Sequence, residues 1–547
     1  MATRTDRRRL SELTLVILGF GLLTVALTWP LAFRLGGMAR IDNADGQFSI
    51  WNVAWVARAL VIDPVHVFDA NIFHPHRWTL AYSEANLGAG LLAIPVYWAT
   101  RNPYAAHNFV LLLSFVLSGA ATYYLVRYLV RDRAAAIISA IGFAFCPYVF
   151  AHLPHIQLLM TAGLPLSLLA FHRLADQPSL GRGVALGLAV AAQGLLCAYY
   201  SVFVVLMVGY AGLFIATTRR LWNAPRYWGA IGIAAAVAIA AILPLFIPYL
   251  MLQSETGFVR SLDAARQYSA QWRAYIASPA NAHAWMMPLL RGRREIEMLF
   301  PGFLALGCGF AGAVIGWRAR GRTRELAILY GSLAVLAAWA SFGPSAGLYR
   351  ILYYAVPGFT LMRAPSRFGL IVVLAVSILM AIAIARLLPR LSRPMLAAIA
   401  LTFVSAAGSY APLRFRPVPP VDPAYLVLAD RPFGAVIEMP VFSRRFAFLR
   451  AQYMLNSTAH WKPLVNAYSD YIPDDFAASA DVLGQFPSHE AFRRLEPDRV
   501  RYAIFHLDLY GNLLEALNVR LKEFAPYLRL LYGDDRIQLY EITGFPP

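Results

Sequence analysis

Charged residues are scarce in this chain of 547 residues. They make up 14% of the sequence, against about 25% in a typical soluble domain. Apolar residues contribute 59%, and together with the 37 glycines they reach about 66%, where soluble domains contain about 45–50%. So few polar side chains cannot cover a soluble surface, which excludes an ordinary soluble enzyme, a disordered chain and a collagen-like chain. The composition indicates an integral membrane protein.

Cysteine is also scarce, and several familiar motifs are missing. The three cysteines, Cys146, Cys197 and Cys308, all lie inside apolar segments. None has the spacing of a zinc or redox motif, so we interpret them as buried small hydrophobic residues. The sequence contains no nucleotide-phosphate loop, no Rossmann glycine pattern and no nucleophile elbow. Any chemistry must therefore come from residues outside these motifs.

Long apolar runs, in contrast, are abundant. A transmembrane helix needs about 20 mostly apolar residues, and eleven segments qualify: 12–33, 106–129, 134–151, 156–173, 183–199, 200–217, 228–252, 300–317, 325–342, 369–388 and 394–411. A twelfth stretch, Leu87 to Thr100, is at the lower limit of length. The first segment follows four arginines and lacks a small-residue cleavage site, which predicts an uncleaved anchor.

The positions of the arginines predict how these segments cross the membrane. Basic residues favour cytoplasmic loops. If 87–100 does not cross, the arginine clusters at 131–133, 173–182, 219–226, 318–324 and 390–393 all lie on the cytoplasmic side, together with the N-terminus. The loops 34–105, 253–299 and 343–368 and the residues after 411 then face outward. Orientation therefore explains much of the net charge of +18, and we expect no nucleic-acid partner.

The last part of the chain differs in composition from the rest. Residues 412–547 are more polar and begin with a proline-rich stretch, 417–420. Strand-like runs occur at 434–439 and 501–505, a hairpin is expected around 533–535, and 511–524 resembles a helix. We therefore predict a mainly α fold, a polytopic transmembrane helical bundle of about 11 to 13 spans, with a small C-terminal α/β extracytoplasmic domain. The predicted boundary divides 1–411, with 34–105 as its first outer loop, from 412–547.

The first outer loop contains the carboxylates that we consider the best catalytic candidates, Asp42 and Asp45. Trp51 and Trp55 are four residues apart and share a helix face, which predicts a helix lying flat in the membrane interface. Asp45 and Asp42 would then lie at the membrane surface, where a carboxylate can take a proton from an acceptor hydroxyl or bind a divalent metal such as Mg or Mn. The alternative is that Asp45 only caps the helix.

Further candidates lie in the same loop and in two later outer loops. Glu84 directly precedes the 87–100 segment and is either a third catalytic carboxylate or an acid stabilised by the helix dipole. His152, His155 and Gln157 lie between two spans, where polar side chains are costly and are functional candidates by default. We expect them to bind substrate, and metal binding by the two histidines is the weaker alternative. Arg260 and Tyr268 belong to a loop that can close over a site.

Two arginines are not explained by topology. Arg363 and Arg367 lie at the outer end of the 369–388 segment, where the cytoplasmic bias of basic residues does not apply. A guanidinium fork binds phosphate in a bidentate manner, so the pair predicts a site for a lipid phosphate. The alternative is that they reach into the interface or pair with the C-terminal residues.

At this point the chain resembles the GT-C superfamily of polytopic glycosyltransferases, and more closely a bacterial, largely uncharacterised subgroup. The layout carries the resemblance, together with these motifs: Asp45-Gly46 followed by Trp51 and Trp55, Asn71-Ile72-Phe73-His74-Pro75, His155-Ile156-Gln157, Pro357-Gly358-Phe359 with Arg363, Pro365, Arg367 and Phe368, and Lys462-Pro463-Leu464-Val465-Asn466.

The resemblance implies a function, a location and roles for the site residues. It implies transfer of a sugar from a polyprenyl-phosphate donor to a cell-envelope acceptor at the outer face of the bacterial cytoplasmic (inner) membrane. Asp45, with Asp42 second, corresponds to the general base or metal ligand, and Arg363 and Arg367 correspond to the residues that hold the donor phosphate. The spacing Asp-x-x-Asp departs from the commoner Asp-x-Asp, which weakens the case for a metal. A flippase of lipid-linked sugars and a non-catalytic assembly scaffold are the alternatives.

Overall fold

The computed structural model describes residues 4–278, 280–290, 297–387 and 413–547. They fall into two compact units. The first unit comprises Met1–Phe33, Val110–Ile247 and Thr256–Leu413, and the second comprises Arg34–Phe109, Pro248–Glu255 and Arg414–Pro547. The structure therefore groups the first loop with the C-terminal residues, whereas the boundary predicted from composition left that loop with the membrane segments.

The chain up to residue 387 is mainly helical. Its α-helices are α1 (Arg4–Leu27), α2 (Ala44–Ile62), α3 (Leu87–Thr100), α4 (Pro103–Val130), α5 (Arg133–Ala144), α6 (Pro147–Ala151), α7 (Ile156–Leu159), α8 (Gly163–Asp176), α9 (Leu180–Leu196), α10 (Ala198–Thr218), α11 (Pro225–Thr256), α12 (Leu262–Gln267), α13 (Phe303–Arg318), α14 (Arg322–Ser341), α15 (Leu348–Ala355) and α16 (Gly369–Leu387). All the predicted apolar segments up to 369–388 overlap these helices. The last predicted segment, 394–411, lies outside the described residues.

Seven helical stretches in the described part of the chain are long and apolar enough to cross a membrane. They are Leu10–Leu27, Pro103–Val130, Arg133–Ala151, Ile156–Asp176, Ala198–Thr218, Pro225–Thr256 and Pro365–Leu387. Three shorter apolar helices, α3, α9 and α13, accompany them. The polytopic helical fold is thus confirmed, while the number of spans stays a prediction.

Glycines allow the helices of the first unit to pack closely. On α13, a Cβ at Gly312 would collide with the Leu379 carbonyl oxygen of α16. On α9, a Cβ at Gly187 would lie 2.6 Å from the Ala234 carbonyl oxygen of α11. Small residues at such points are typical of membrane helix pairs, where close backbone approach replaces the hydrophobic driving force. α16 is apolar along its whole length and buried from Gly369 to Ile384.

The residues after 412 form the predicted α/β region of the second unit. Its strands are β2 (Arg416–Pro417), β3 (Ala435–Met439), β4 (Val500–His506), β5 (Leu528–Gly533) and β6 (Ile537–Ile542), and its α-helices are α17 (Pro423–Ala429), α18 (Ala451–Asn456), α19 (Asp474–Leu483), α20 (His489–Leu495) and α21 (Leu514–Glu523). The sheet order is β3-β4-β6-β5, with β3 and β4 parallel and the other pairs antiparallel. The predicted strands, hairpin and helix are confirmed.

Specific contacts explain why the first loop belongs to this unit. A short strand, β1 (Met38–Ala39), pairs with β2, so that Met38 lies opposite Pro417. In α2, Ile50 packs in one buried cluster with Ala39 and Leu455. The Gln47 side chain donates to Gln452 Oε1 at 2.8 Å. These contacts join the first loop to the C-terminal residues through backbone, apolar and polar interactions.

Candidate functional site

The segment that carries Arg363 and Arg367 leads directly into α16. It begins at Gly358, whose φ of 76° lies in the left-handed region that favours glycine. Phe359 is fully buried behind this turn, and the Tyr349 hydroxyl donates to the Met362 carbonyl at 2.9 Å. A 3-10 turn, Pro365–Phe368, then joins the segment to the helix. The Pro-Gly-Phe motif therefore fixes the backbone from which both arginines project.

Two tyrosine rings hold the arginine side chains. The Arg367 guanidinium lies 4.2 Å from the ring centroid of Tyr199, and the Arg363 guanidinium lies 4.9 Å from that of Tyr268. The Tyr199 hydroxyl also accepts hydrogen bonds from the backbone N–H groups of Arg363 and Ala364. Tyr199, in the first turn of α10, thus fixes both the segment and one guanidinium, since cation–π contact is favourable at this distance.

The Arg367 guanidinium keeps its hydrogen-bonding capacity. It is half-buried, and it makes no hydrogen bond or ion pair with the described residues of the first unit. A guanidinium offers five N–H donors in a planar fork. Contact with the face of an aromatic ring uses none of them, so the fork is oriented but unoccupied by protein acceptors. This is the arrangement that binding of a phosphate requires.

A partly buried acid–imidazole pair lies beside this arginine. His152 Nε2 is 3.3 Å from Glu297 Oε2, and its Nδ1 donates to the Tyr148 carbonyl at 2.7 Å. Both ring nitrogens of His152 therefore face oxygen atoms of the protein. Burial opposes ionisation of Glu297, but the hydrogen bond from His152 and the charge of Arg367 outweigh burial and hold the pKa of Glu297 below its usual value.

The other candidates of the first unit lie near this cluster to different extents. His155 is close to His152, with ring centroids 6.1 Å apart. Gln157 is half-buried in α7. Arg260 approaches through its backbone, because its N–H donates to the Thr360 carbonyl at 2.9 Å. His152 differs from these candidates. It has no ring nitrogen left to bind a substrate, because Glu297 and the Tyr148 carbonyl already contact both of them.

The carboxylates of the first loop belong to the second unit, at the start of α2. Asn43, not Asp45, is the N-cap, and its side chain accepts from the Gly46 N–H at 2.9 Å. The alternative that Asp45 caps the helix is therefore wrong. Asp45 lies half-exposed in the first turn, where the helix dipole favours a negative charge. A Cβ at Gly46 would collide with the Arg40 carbonyl oxygen, which explains the glycine after Asp45.

Asp42 has a different environment from Asp45. Its carboxylate pairs with Arg40, with Nε and Oδ1 2.9 Å apart, and the two side chains are 10% and 17% exposed for Arg40 and Asp42. Among the described residues, no group of three or more His, Cys, Asp or Glu side chains could hold a metal ion. Because a guanidinium already neutralises Asp42, the Asp-x-x-Asp spacing does not present two open carboxylates to Mg or Mn.

The tryptophans of α2 are buried within the protein, and the position of this helix in the membrane interface stays a prediction. Trp51 is fully buried and donates from Nε1 to Asn71 Oδ1 at 3.1 Å, while Trp55 donates to the Val67 carbonyl at 2.9 Å. Their shared face packs inside the second unit because indole N–H groups find acceptors there. Nearby, the Asn52 side chain donates to the Glu84 carbonyl at 3.1 Å. Glu84 lies before α3 and outside its first turn, so the helix-dipole alternative does not account for it.

Sequence reasoning missed Tyr199 and Glu297. Glu297 carried a usable signal, because it is an acid just before the apolar segment 300–317, the same pattern that identified Glu84. Tyr199 carried no such signal. It is one of the 28 tyrosines of the chain, and it stands at the start of an apolar run. Its role depends on the distant segment that it contacts.

The mainly helical polytopic fold with a C-terminal α/β region has counterparts among solved structures. Two solved structures share this fold with the chain. One is ArnT from Cupriavidus metallidurans bound to undecaprenyl phosphate, with a TM-score of 0.54, 13% identity, and coverage of 96% of this chain and 97% of ArnT. The other is the arabinofuranosyltransferase AftD from Mycobacteria, with a TM-score of 0.56, 14% identity, and coverage of 98% of this chain but 42% of AftD. No family model and no curated protein matches the sequence.

Proposed function

We propose that the chain is a glycosyltransferase that moves a sugar from a polyprenyl-phosphate donor to a cell-envelope acceptor. The observation that carries this proposal is the Arg367 guanidinium, which Tyr199 orients at 4.2 Å and which no acceptor among the described residues of its own unit occupies. A half-buried fork of this kind suits the phosphate of a lipid-linked donor. The shared fold with ArnT, a structure that contains undecaprenyl phosphate, supports the same ligand class.

The proposed reaction divides the work between Asp45 and the arginines. Asp45 takes the proton from an acceptor hydroxyl, and that oxygen attacks the anomeric carbon of the donor sugar. The bond between this carbon and the phosphate oxygen breaks on the opposite face, which inverts the configuration. Arg367 and Arg363 stabilise the negative charge that the phosphate acquires as it leaves. The proton ends on Asp45 and the electron pair on the phosphate.

The remaining candidates have secondary roles in this proposal. Asp42 keeps Arg40 in place and is not assigned a proton transfer. Glu84 is a second carboxylate near α2, and His155, Gln157, Arg260 and Tyr268 are proposed substrate contacts. No step requires a metal. The expected location is the bacterial inner membrane, with the N-terminus in the cytoplasm and the reaction on the outer face.

Purified protein in vesicles with a radiolabelled polyprenyl-phosphate sugar tests the reaction. We expect label to move to an added extract of cell-envelope acceptors. Movement of the label between leaflets without transfer would identify a flippase instead. If neither occurs with any donor sugar, a scaffold is the better description, and the proposal fails.

The phosphate site can be tested without knowing the sugar. We expect Arg367→Gln to weaken binding of undecaprenyl phosphate about 10- to 100-fold, the usual effect of losing a charge-assisted contact. Arg350→Gln is the matched control, because Arg350 is an exposed arginine on α15. Equal binding of undecaprenyl phosphate by the wild type and the Arg367→Gln variant would show that Arg367 does not bind the phosphate.

A further inference from the structure

A second arginine-lined site lies in the first unit, and its lining includes neither Arg363 nor Arg367. It is a groove of about 1440 Å³ between α1, α4, α8 and α9. Three arginines line one end of it: Arg127 near the end of α4, Arg173 near the end of α8, and Arg182 near the start of α9. One carboxylate, Glu12 of α1, accompanies them.

Neighbouring acids do not neutralise this end of the groove. Asp176 pairs with Arg219 at 2.9 Å and with Arg322 at 2.7 Å. Glu325 pairs with the same Arg219 at 2.6 Å. These two acids are therefore paired with arginines that do not line the groove, and Glu12 is the carboxylate among the described residues that line it.

The charges of the groove arginines are only partly neutralised by the described residues. Glu12 is shared, because it lies 3.1 Å from Arg133 and 3.7 Å from Arg127. Arg173 is exposed and contacts the ring of Tyr128 at 5.7 Å, and it makes no hydrogen bond or ion pair with the described residues of its unit. The Arg182 side chain is held by Gln177, because it donates to the Gln177 carbonyl at 2.5 Å and to the Gln177 side-chain oxygen at 2.6 Å. The mouth of the groove thus carries excess positive charge with unused donors.

The rest of the groove is apolar and continues away from the arginines. On α8, Leu166 and Leu169 lie one to two turns before Arg173, and on α9 the lining runs from Ala185 to Ala192. At 1.5 Å per residue, the ten residue steps from Arg182 to Ala192 give a floor about 15 Å long. Leu166 and Leu188 are 42% and 55% exposed. A cationic mouth that opens on an apolar channel matches an acidic headgroup with an attached hydrocarbon chain.

We propose that this groove binds an anionic phospholipid, with its phosphate at Arg173 and Arg182 and an acyl chain along α8 and α9. Basic pockets between membrane helices recognise acidic headgroups in this way. A zwitterionic lipid offers the same chain but no net charge, so the arginines select against it. The site includes none of the residues assigned to sugar transfer, and its occupant is a bilayer lipid rather than the glycosyl donor.

Native mass spectrometry on the delipidated full-length protein tests the proposal, with added phosphatidylglycerol or phosphatidylcholine as probes. We expect phosphatidylglycerol to bind at least tenfold more tightly than phosphatidylcholine. The double variant R173Q/R182Q should weaken phosphatidylglycerol binding about 10- to 30-fold and leave phosphatidylcholine binding unchanged. The matched control is R318Q/R320Q, which removes two exposed arginines that lie outside the groove.

A second variant protects the test against misfolding. Ala185→Trp keeps every arginine but fills the apolar part of the groove, so it should also weaken phosphatidylglycerol binding about tenfold, with an unchanged Tm. Wild-type binding by both groove variants would overturn the proposal. An equal loss in R318Q/R320Q would also overturn it, because binding would then follow total charge and not this groove.

Discussion

The carboxylates at the start of α2 and the arginines before α16 are positioned by different means. Asp42 and Asp45 depend on neighbours in the chain: Arg40 pairs with Asp42, and Asn43 caps the helix that carries Asp45. Arg363 and Arg367 depend instead on the rings of Tyr268 and Tyr199, which are distant in sequence. The carboxylate motif is therefore built by contacts close in sequence, while the arginine motif forms only when the fold is complete.

The largest expected effect concerns Asp45. If Asp45 is the general base, Asp45→Asn should reduce sugar transfer about 10²- to 10⁴-fold, the usual contribution of acid–base catalysis. The variant should fold normally, since Asn43 and not Asp45 caps α2. Transfer rates in vesicles, with a parallel measurement of Tm, check both statements. Full sugar-transfer activity in this variant would contradict the assignment of Asp45 as the general base.

A smaller effect is expected when the support of the arginines is removed. Tyr199→Leu removes the ring beneath Arg367 and the hydroxyl that accepts two backbone N–H groups. We expect undecaprenyl phosphate to bind about tenfold more weakly, because a partly desolvated cation–π contact contributes about 1–2 kcal/mol. Tyr199→Phe keeps the ring and should lose about threefold. Equal losses in the two variants would show that the ring does not orient Arg367.

The partly buried pair beside Arg367 predicts a pH effect on stability. The pKa of Glu297 is lowered despite burial, because His152 and Arg367 stabilise the carboxylate. Its contribution is therefore fully present above the unfolded pKa, near 4.5, and is lost as the pH falls through the lower folded pKa. The Tm of the wild type should decrease between pH 6 and pH 3.5. In Glu297→Gln we expect this decrease to be about 2–4 °C smaller. An equal decrease in Tm in the variant and the wild type would mean that the ionised Glu297 carboxylate does not stabilise the fold.

The smallest effect is expected at Asp42. Asp42→Asn breaks an ion pair with Arg40, and pairs near the surface contribute about 0–1 kcal/mol. We expect less than a threefold change in transfer and a shift in Tm of no more than about 3 °C. The variant is also the natural control for Asp45→Asn, because it changes the same residue type three positions away. A loss as large as that of Asp45→Asn would make both carboxylates part of one site.

Features with a local cause were predictable from the sequence. The apolar segments up to 369–388 became helices where they were expected, and β3, β4 and the β5–β6 hairpin follow their sequence patterns. The Asp-Gly pair marked the start of a helix, although Asn43 took the capping role. Trp51 and Trp55 did share a face, but amphipathic residues pack equally well in an interface or in a protein core, and the acceptors on Asn71 and Val67 decided the outcome.

Features with a distant cause were not predictable. Arg363 and Arg367 stood out because topology failed to explain them, but nothing in the sequence linked Arg367 to Tyr199 or His152 to Glu297. The grouping of the first loop with the C-terminal residues was missed for the same reason, since it depends on β1 pairing with β2 and on Ile50 packing with Leu455.

The pairing of Met38 with Pro417 also has a consequence for biogenesis. The ribosome makes β1 early and β2 about 380 residues later, so at ~5–20 residues per second the first strand waits roughly 20–75 s for its partner. During that interval the loop bearing Asp45 lacks the contacts that complete its fold. A nascent or prematurely terminated chain would therefore hold the local contacts of Asp42 and Asp45 but not the pairing of β1 with β2, which forms only when synthesis has passed residue 417.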